Sequence, residues 1–302
     1  MLLGLPEFEW LSPGTLGEAC ALLADPRADA VALAGGTDLF VKMKHRSFIS
    51  RRLINIKAIQ GMDGIGLDAD GGIRIGALTT ADSIGASPLV ASSVPALGEA
   101  ARVLGTLQIR NVASIGGNLA NASPAAEFAA PLLVLGASVR CVGSAGERRV
   151  PIDEFFKGPG KTVLQKGELI AEVCVPRQPG HAQATYLKHS LRRMDVAIAS
   201  AAVFVCLEGD VCTQARIALG AVGPTPYRAT RAEAALCGQR LEGGALPRQL
   251  MEHAAAIAAE DALPKDDLRA YATYRRRLIA MLVGKALERL APQPVPLRRA
   301  RA

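Results

Sequence analysis

The sequence predicts an α+β fold in two domains, and three observations carry that reading. Strand-like and helix-like stretches alternate from Phe8 to Ile56 in the manner of a small βαβ-like lobe. A breaker-rich stretch from Pro176 to Gln183, with Pro176, Pro179 and Gly180, interrupts every periodic pattern past the midpoint of the chain. Beyond it an apolar meander leads into long helical stretches, the pattern of an antiparallel sheet with helices. The chain accordingly divides into a first domain over 1–177, in lobes 1–57 and 58–177, a smaller α+β domain over 183–291, and a basic tail over 292–302.

In order, the first lobe opens with a strand and then a helix, with Pro13 after Ser12 at the helix start and Leu16, Ala19, Leu22 and Leu23 at helical spacing. Val31 to Ala34 is a strand that runs into Gly35-Gly36. Thr37 to Lys44 reads as helical, with Leu39, Phe40 and Met43 on one face and Lys42 and Lys44 turned away; Arg51 to Ile56 returns as a strand. In the second lobe Gly71-Gly72 separates two strands, Thr79-Thr80-Ala81-Asp82 opens a short helix, and Pro95 to Leu104 is a longer one. Ser123-Pro124 pairs a cap residue with proline at a first helical position, so a helix is expected from there, kinked or split at Pro131.

Val139 to Val142, Arg148 to Val150 and Leu169 to Val175 are further strands, Asp153 to Phe156 a short helix or turn, and Lys157 to Lys161 too rich in glycine and proline to be regular. In the second domain Thr185 to Arg192, Ile198 to Leu207 and Ala215 to Ala221 are strands, with a hairpin turn at Glu208-Gly209-Asp210. Arg231 to Leu236, Pro247 to Ala259 and Asp266 to Leu290 are helices.

Composition narrows the function. Half the residues are hydrophobic and 21% are charged, a globular balance, while aromatics at 4% leave the cores to Ala, Leu, Val and Ile. No apolar run approaches the roughly 20 residues that span a bilayer. The N-terminal residues lack a basic start and a small-residue cleavage site, so a cytoplasmic protein is expected. The six cysteines are far apart with no C-x-x-C pair, which disfavours a locally spaced metal or iron–sulfur site, and the four histidines form no ligand pair. The net charge of +7 fits a bound anion or an acidic partner better than nucleic acid, because Arg and Lys are scattered and no aromatic residues are interleaved with them.

Two segments carry the chemistry. Ala30 to Lys44 is an apolar run that ends at Gly35-Gly36-Thr37-Asp38; Thr106 to Gly136 holds Ser114, Gly116-Gly117, Asn118, Asn121 and Ser123 ahead of an apolar stretch. Glycines allow positive φ and close approach of a ligand to the backbone, and the small polar side chains offer hydrogen bonds without bulk. One diglycine alone is most simply a tight turn. Two, each closing a strand-like run with a hydroxyl or amide beside it, suit the two sides of one diphosphate. No G-x-S-x-G, paired-carboxylate or H-E-x-x-H pattern is present, so any redox or transfer chemistry belongs to a bound cofactor.

Ala34-Gly35-Gly36-Thr37-Asp38-Leu39, then Ile109-Arg110-Asn111-Val112-Ala113-Ser114-Ile115-Gly116-Gly117-Asn118-Leu119 and Asn121-Ala122-Ser123-Pro124, closely resemble the FAD-binding medium subunit of the molybdenum hydroxylases. Nearly the whole chain shares the resemblance. It implies a two-lobed PCMH-type FAD-binding domain, with Ala32, Leu33, Ala34, Gly35, Gly36, Thr37, Asp38 and Leu39 and the segment Ser114, Ile115, Gly116, Gly117 and Asn118 cradling the FAD diphosphate. Thr37, Ser114, Asn118 and Asn121 would donate hydrogen bonds. Glu127 stands where relatives often carry Asp and would accept from a ribose or adenine group; its plainer reading is a helix-terminal charge. Lys188 would place a cation near the flavin ring, or is simply an exposed strand lysine. Leu104, Ile109, Leu169 and Ile170 would pack on the isoalloxazine or adenine, or belong to the core.

By the same resemblance the chain is the FAD-carrying electron-transfer subunit of a heterotrimer. A large subunit would bind molybdopterin and oxidise the substrate, a small subunit would carry [2Fe-2S] clusters, and FAD on this chain would pass electrons to an external acceptor. A dimer of heterotrimers is compatible with it. The Arg275-Arg276-Arg277 cluster reads as a solvated face or as an interface with an acidic subunit. A self-sufficient FAD-dependent oxidase or reductase, and a flavin-free scaffold, are the competing readings. The first lacks a substrate-directed base and an attachment histidine in the glycine motifs, and intact glycine pairs oppose the second.

Overall fold

Two parallel crossovers build the first lobe of the computed structural model, which describes residues 4–242 and 244–290. Strand β1 (Glu9–Leu11) leads to helix α1 (Leu16–Ala24), β2 (Ala30–Leu33), α2 (Leu39–Lys44) and β3 (Arg52–Asn55), and β3 lies between β1 and β2, parallel to both. Thr15 caps α1 by accepting from the Glu18 N–H at 3.2 Å, which sets the helix start past Pro13. The face carrying Ala19, Cys20 and Leu23 is buried.

The second lobe is an antiparallel sheet wrapped by short helices. Its elements are β4 (Ile65–Leu67), β5 (Ile73–Gly76), α3 (Ala81–Ala86), α4 (Pro88–Ser93), α5 (Pro95–Val103), α6 (Leu107–Arg110), α7 (Ile115–Ala120), α8 (Ala129–Val134), β6 (Ser138–Gly143), β7 (Gly146–Pro151), α9 (Ile152–Phe155), β8 (Phe156–Gly158), β9 (Lys161–Thr162) and β10 (Leu169–Val175). The main sheet runs β4-β5-β10-β6-β7. The stretch Lys157–Lys161, expected to be irregular, instead turns a small hairpin between β8 and β9.

Two expectations around the second glycine pair are corrected. Gly116 and Gly117 do not form a positive-φ loop; they lie in the first turn of α7, whose cap Ser114 accepts from the Gly117 N–H at 3.2 Å. Positive φ is used at the first pair, where Gly36 has φ 72°. No helix starts at Ser123-Pro124. Ser123 Oγ accepts from Ala125 N–H in a local turn, and the Pro124 carbonyl is taken by the Ala221 N–H at 2.7 Å instead of by a following helical turn. The helix waits until Ala129, where Pro131 sits in the first turn and breaks nothing.

The last part is the antiparallel meander β11 (Ala182–His189), β12 (Ala199–Glu208), β13 (Val211–Gly220) and β14 (Tyr227–Arg228), followed by α10 (Thr230–Leu236), α11 (Arg248–Asp261) and α12 (Ala272–Leu290). Helix α12 begins later than expected, because Asp266–Ala270 makes a turn in which Asp266 accepts from the Ala272 N–H at 2.6 Å. Arg275 is not a surface charge: it is 2% exposed, donates to the carbonyls of Ile198 and Ala221 and pairs with Asp267. The expected basic tail lies outside the described residues. No helix among the described residues is long and apolar enough to cross a membrane.

The meander is buried on both faces, which explains the near-continuous apolar run along β12. Ala201, Val203 and Val205 face α10–α12 in one core, while Ala202, Phe204 and Cys206 join Tyr186 and Ala184 in the core of the second lobe. Polar struts fix this junction. Glu99 on α5 accepts from Thr185 Oγ1 and Tyr186 N–H, both at 2.8 Å, and pairs with Arg289 at 2.7 Å. Lys188 Nζ, with its side chain 3% exposed, donates to Glu127 Oε1 at 3.0 Å and to the Val103 carbonyl at 2.9 Å.

Two stability outcomes follow from these contacts. A Cβ at Gly35 would lie 1.9 Å from the Val112 carbonyl oxygen, so Gly35→Ala should destabilise the chain by about 3 kcal/mol or more in denaturant unfolding. Removing one partner of the buried Lys188–Glu127 pair should cost roughly 3–5 kcal/mol, and Lys188→Met combined with Glu127→Leu should recover much of it in a double-mutant cycle.

Candidate functional site

The two glycine segments meet at the floor of one cleft of about 470 Å³ between the lobes. The close approach is backbone on backbone. Gly35 rests on the Val112 carbonyl, and Gly116 donates to the Ala77 carbonyl at 2.8 Å with no room for a Cβ, which would fall 2.7 Å from Ala77 Cβ. Ile115 N–H donates to Thr79 and Ala81 N–H to Ala113, so the start of α7 is fixed to the end of β5 and the loop after it. Gly117 differs from its neighbour. A Cβ there would meet only Ser114 Oγ at 3.0 Å and Ala34 Cβ at 3.9 Å, so it opens onto the cleft.

Along this floor stand polar groups with no partner among the described residues. Among the described residues, the N–H groups of Gly35, Gly36, Thr37 and Asp38 find no acceptor, because they lie between the β2 ladder and the first bonds of α2. Successive free N–H groups in such a turn form a concavity suited to an anion. Asn118 Oδ1 is buried and unpartnered as well. An unpaired buried acceptor costs about 1–3 kcal/mol, which a ligand hydroxyl or N–H in the cleft would offset. Apolar side chains complete the lining: Leu104, Ile109, Leu169 and Ile170, with Met194 and Val196 from the loop after β11. The arrangement can hold an anionic group at the floor and a flat apolar ring against the walls.

Of the residues singled out in the sequence, Ala32 to Leu39, Leu104, Ile109, Ser114, Gly116, Gly117, Asn118, Asn121, Glu127, Leu169 and Ile170 all line the cleft. Two do not. Ile115 is fully buried in the core beneath α7, because the residue after the cap Ser114 turns inward while Gly117 and Asn118 turn out. Lys188 is neither exposed nor on the cleft wall; it sits behind Glu127, which its Nζ reaches at 3.0 Å. The longer reach of Glu127 permits that pairing, so the cation acts on the cleft through the carboxylate.

Sequence reasoning missed Lys42, Phe48, Glu168, Met194 and Val196, which also line the cleft. Lys42 was detectable: a lysine turned away from the core face of α2 points, in this fold, across the cleft, where its Nζ meets Asn121 Oδ1. Glu168 is held by both Nε and Nη2 of Arg148 at 2.7 Å, and those hydrogen bonds lower its carboxyl below the usual carboxylate range. This fixes the segment from Leu164 to Ile170 as a rigid wall. Nothing in the local sequence of Phe48, Met194 or Val196 signals their place, since chain topology brings them there.

Known proteins match the chain along most of its length. Residues 6–178 match the FAD binding domain in molybdopterin dehydrogenase, and residues 184–290 match the CO dehydrogenase flavoprotein C-terminal domain. The chain is 33% identical over 275 residues to the xanthine dehydrogenase FAD-binding subunit of Escherichia coli O157:H7, covering 90% of this chain and 92% of that one. It is 34% identical over 285 residues to the carbon monoxide dehydrogenase medium chain of Hydrogenophaga pseudoflava, covering 93% and 96%. A solved carbon monoxide dehydrogenase from Hydrogenophaga pseudoflava, lacking the Mo-pyranopterin moiety of its molybdenum cofactor, superposes with a TM-score of 0.91 at 33% identity over 96% of this chain and 100% of that one. With both of its parts matched and its fold shared over 96% of its length, the chain belongs to the FAD-binding medium-subunit family of the molybdopterin dehydrogenases, and is an oxidoreductase chain.

Proposed function

We propose that this chain holds FAD in the cleft between the two glycine segments and relays electrons through it, from the iron–sulfur clusters of a partner subunit to an external acceptor. The observation that carries the reading is the set of unpaired groups at the cleft floor, the N–H row of Gly35–Asp38 and the buried Asn118 Oδ1, between walls that suit a ring system. The chemistry available there when FAD is bound is reversible uptake of electrons.

The roles of the chain's own residues follow from position. Gly35, Gly36, Thr37 and Asp38 bind the diphosphate through their N–H groups, and Ser114 and Asn121 add side-chain hydrogen bonds. Gly117 leaves the space that a Cβ would take. Asn118 accepts from a ligand hydroxyl, and Glu127 does the same while Lys188 holds its carboxylate in place. Leu104, Ile109, Leu169 and Ile170 exclude water and orient the ring.

A molybdopterin-binding large subunit and a [2Fe-2S] small subunit complete the heterotrimer, in a cytoplasmic enzyme whose domains join at Pro176–Gln183. The names of the relatives support the assembly, since they are a medium chain of carbon monoxide dehydrogenase and a subunit of xanthine dehydrogenase.

Purification from the native source, with spectrum, metal content and mass recorded, tests the reading. FAD on this chain, together with molybdenum and iron on two co-purifying subunits, is expected, and the mass shows whether heterotrimers pair. Flavin on a solitary chain would instead indicate a self-sufficient oxidase or reductase. Gly117→Val is expected to cut FAD retention at least tenfold with little change in melting temperature, since its Cβ enters the cleft; full FAD content in that variant would contradict the placement of the diphosphate.

A further inference from the structure

Charge around the cleft is unevenly settled. Among the described residues, four side chains with a formal charge line it: Asp38, Lys42, Glu127 and Glu168. Glu127 is matched by Lys188 and Glu168 by Arg148, each pair partly or wholly behind the wall. Lys42 is the one cation on the lining and has no carboxylate within ion-pair distance among the described residues. Its Nζ is held only by the neutral amide oxygen of Asn121, 79 positions away on the opposite lobe.

We propose that Lys42 is the cation that neutralises the diphosphate of the bound dinucleotide, leaving or sharing its hydrogen bond to Asn121 to do so. The proposal rests on the FAD reading of the cleft and extends it to a residue the glycine motifs do not contain. Three features of the cleft converge on it. The N–H row at Gly35–Asp38 can donate to phosphate oxygens but carries no net charge, so a diphosphate there lacks a counter-ion unless Lys42 supplies it. Lys42 lies on α2, the element that the Gly35–Asp38 turn leads directly into, so the cation and the donors move as one body. Lysine has a flexible four-carbon stem, and its ammonium, not buried, can swing from Asn121 to a phosphate without unpairing a buried charge. The Lys42–Asn121 hydrogen bond also joins the two lobes across the cleft, so the cation already stands on the site's lining.

The test is flavin binding to the FAD-depleted full chain, followed by flavin fluorescence at low and high salt, with FAD and with riboflavin, which lacks the diphosphate. Wild type, Lys42→Met, Lys42→Arg and Asn121→Ala are compared. Lys42→Met is expected to raise the FAD dissociation constant about tenfold or more, as loss of a charge-assisted hydrogen bond would. Its FAD affinity should also depend less on salt than that of wild type. Riboflavin affinity should be unchanged in Lys42→Met, which serves as its folding control, and Lys42→Arg should restore most of the FAD affinity. Asn121→Ala should weaken FAD less than Lys42→Met does, because the ammonium remains. Equal loss for riboflavin and FAD, or unchanged FAD affinity in Lys42→Met, would overturn the role given to Lys42 while leaving FAD in the cleft. Failure of the wild-type chain to bind FAD at all would overturn the underlying reading, and the proposal with it.

Discussion

The contact on which the structure depends is the meeting of two backbones at the cleft floor, Gly35 against the Val112 carbonyl and Gly116 against Ala77. No side chain fits at either point. Because Gly35 of the first lobe touches Val112 of the second without intervening atoms, and Gly116 seats α7 on Ala77 within the second lobe, the N–H groups of the first segment and the polar side chains of the second face the same narrow space. A parallel βαβ-type lobe and an antiparallel lobe could join in other ways. Only close approach at these glycines turns the end of β2 and the start of α7 into one cradle.

The rest of the chain serves to keep that cradle shaped. The C-terminal meander is more than an appended module, because one of its faces completes the core of the second lobe through Tyr186, Ala202 and Phe204. From the same sheet Lys188 reaches through to Glu127 and the Val103 carbonyl, tying together two parts of the cleft wall. Arg148 does the corresponding work for the segment ending at Ile170 by holding Glu168. A cleft whose walls are fixed by buried or half-buried ion pairs is pre-organised, so little ordering is left for the ligand to impose.

Much of this was legible in the sequence, and the exceptions have physical causes. Strands such as β2, β10 and β12 were visible because β-branched and apolar runs end at glycine or proline, and the glycine pairs announced the cleft. Their conformations were less legible. Gly116 and Gly117 look like a turn, yet the cap at Ser114 places them in a helix, where their small size matters and positive φ does not. Ser123-Pro124 carries a helix-start signal that tertiary contact overrides, since Ala221 takes the Pro124 carbonyl. The burial of Lys188 and Arg275 was not legible, because local sequence does not reveal burial on both faces of a sheet. Lys42, Met194 and Val196 reach the cleft only through topology, which periodicity cannot encode.

The most direct measurement of the central claim is amide hydrogen exchange of the chain with and without FAD. Among the described residues, the N–H groups of Gly35, Gly36, Thr37 and Asp38 find no acceptor, so these amides should exchange rapidly without FAD and become strongly protected with it, while the β12–β13 ladder stays unchanged. Protection that appears elsewhere, with these four amides still exchanging freely when FAD is bound, would contradict the account.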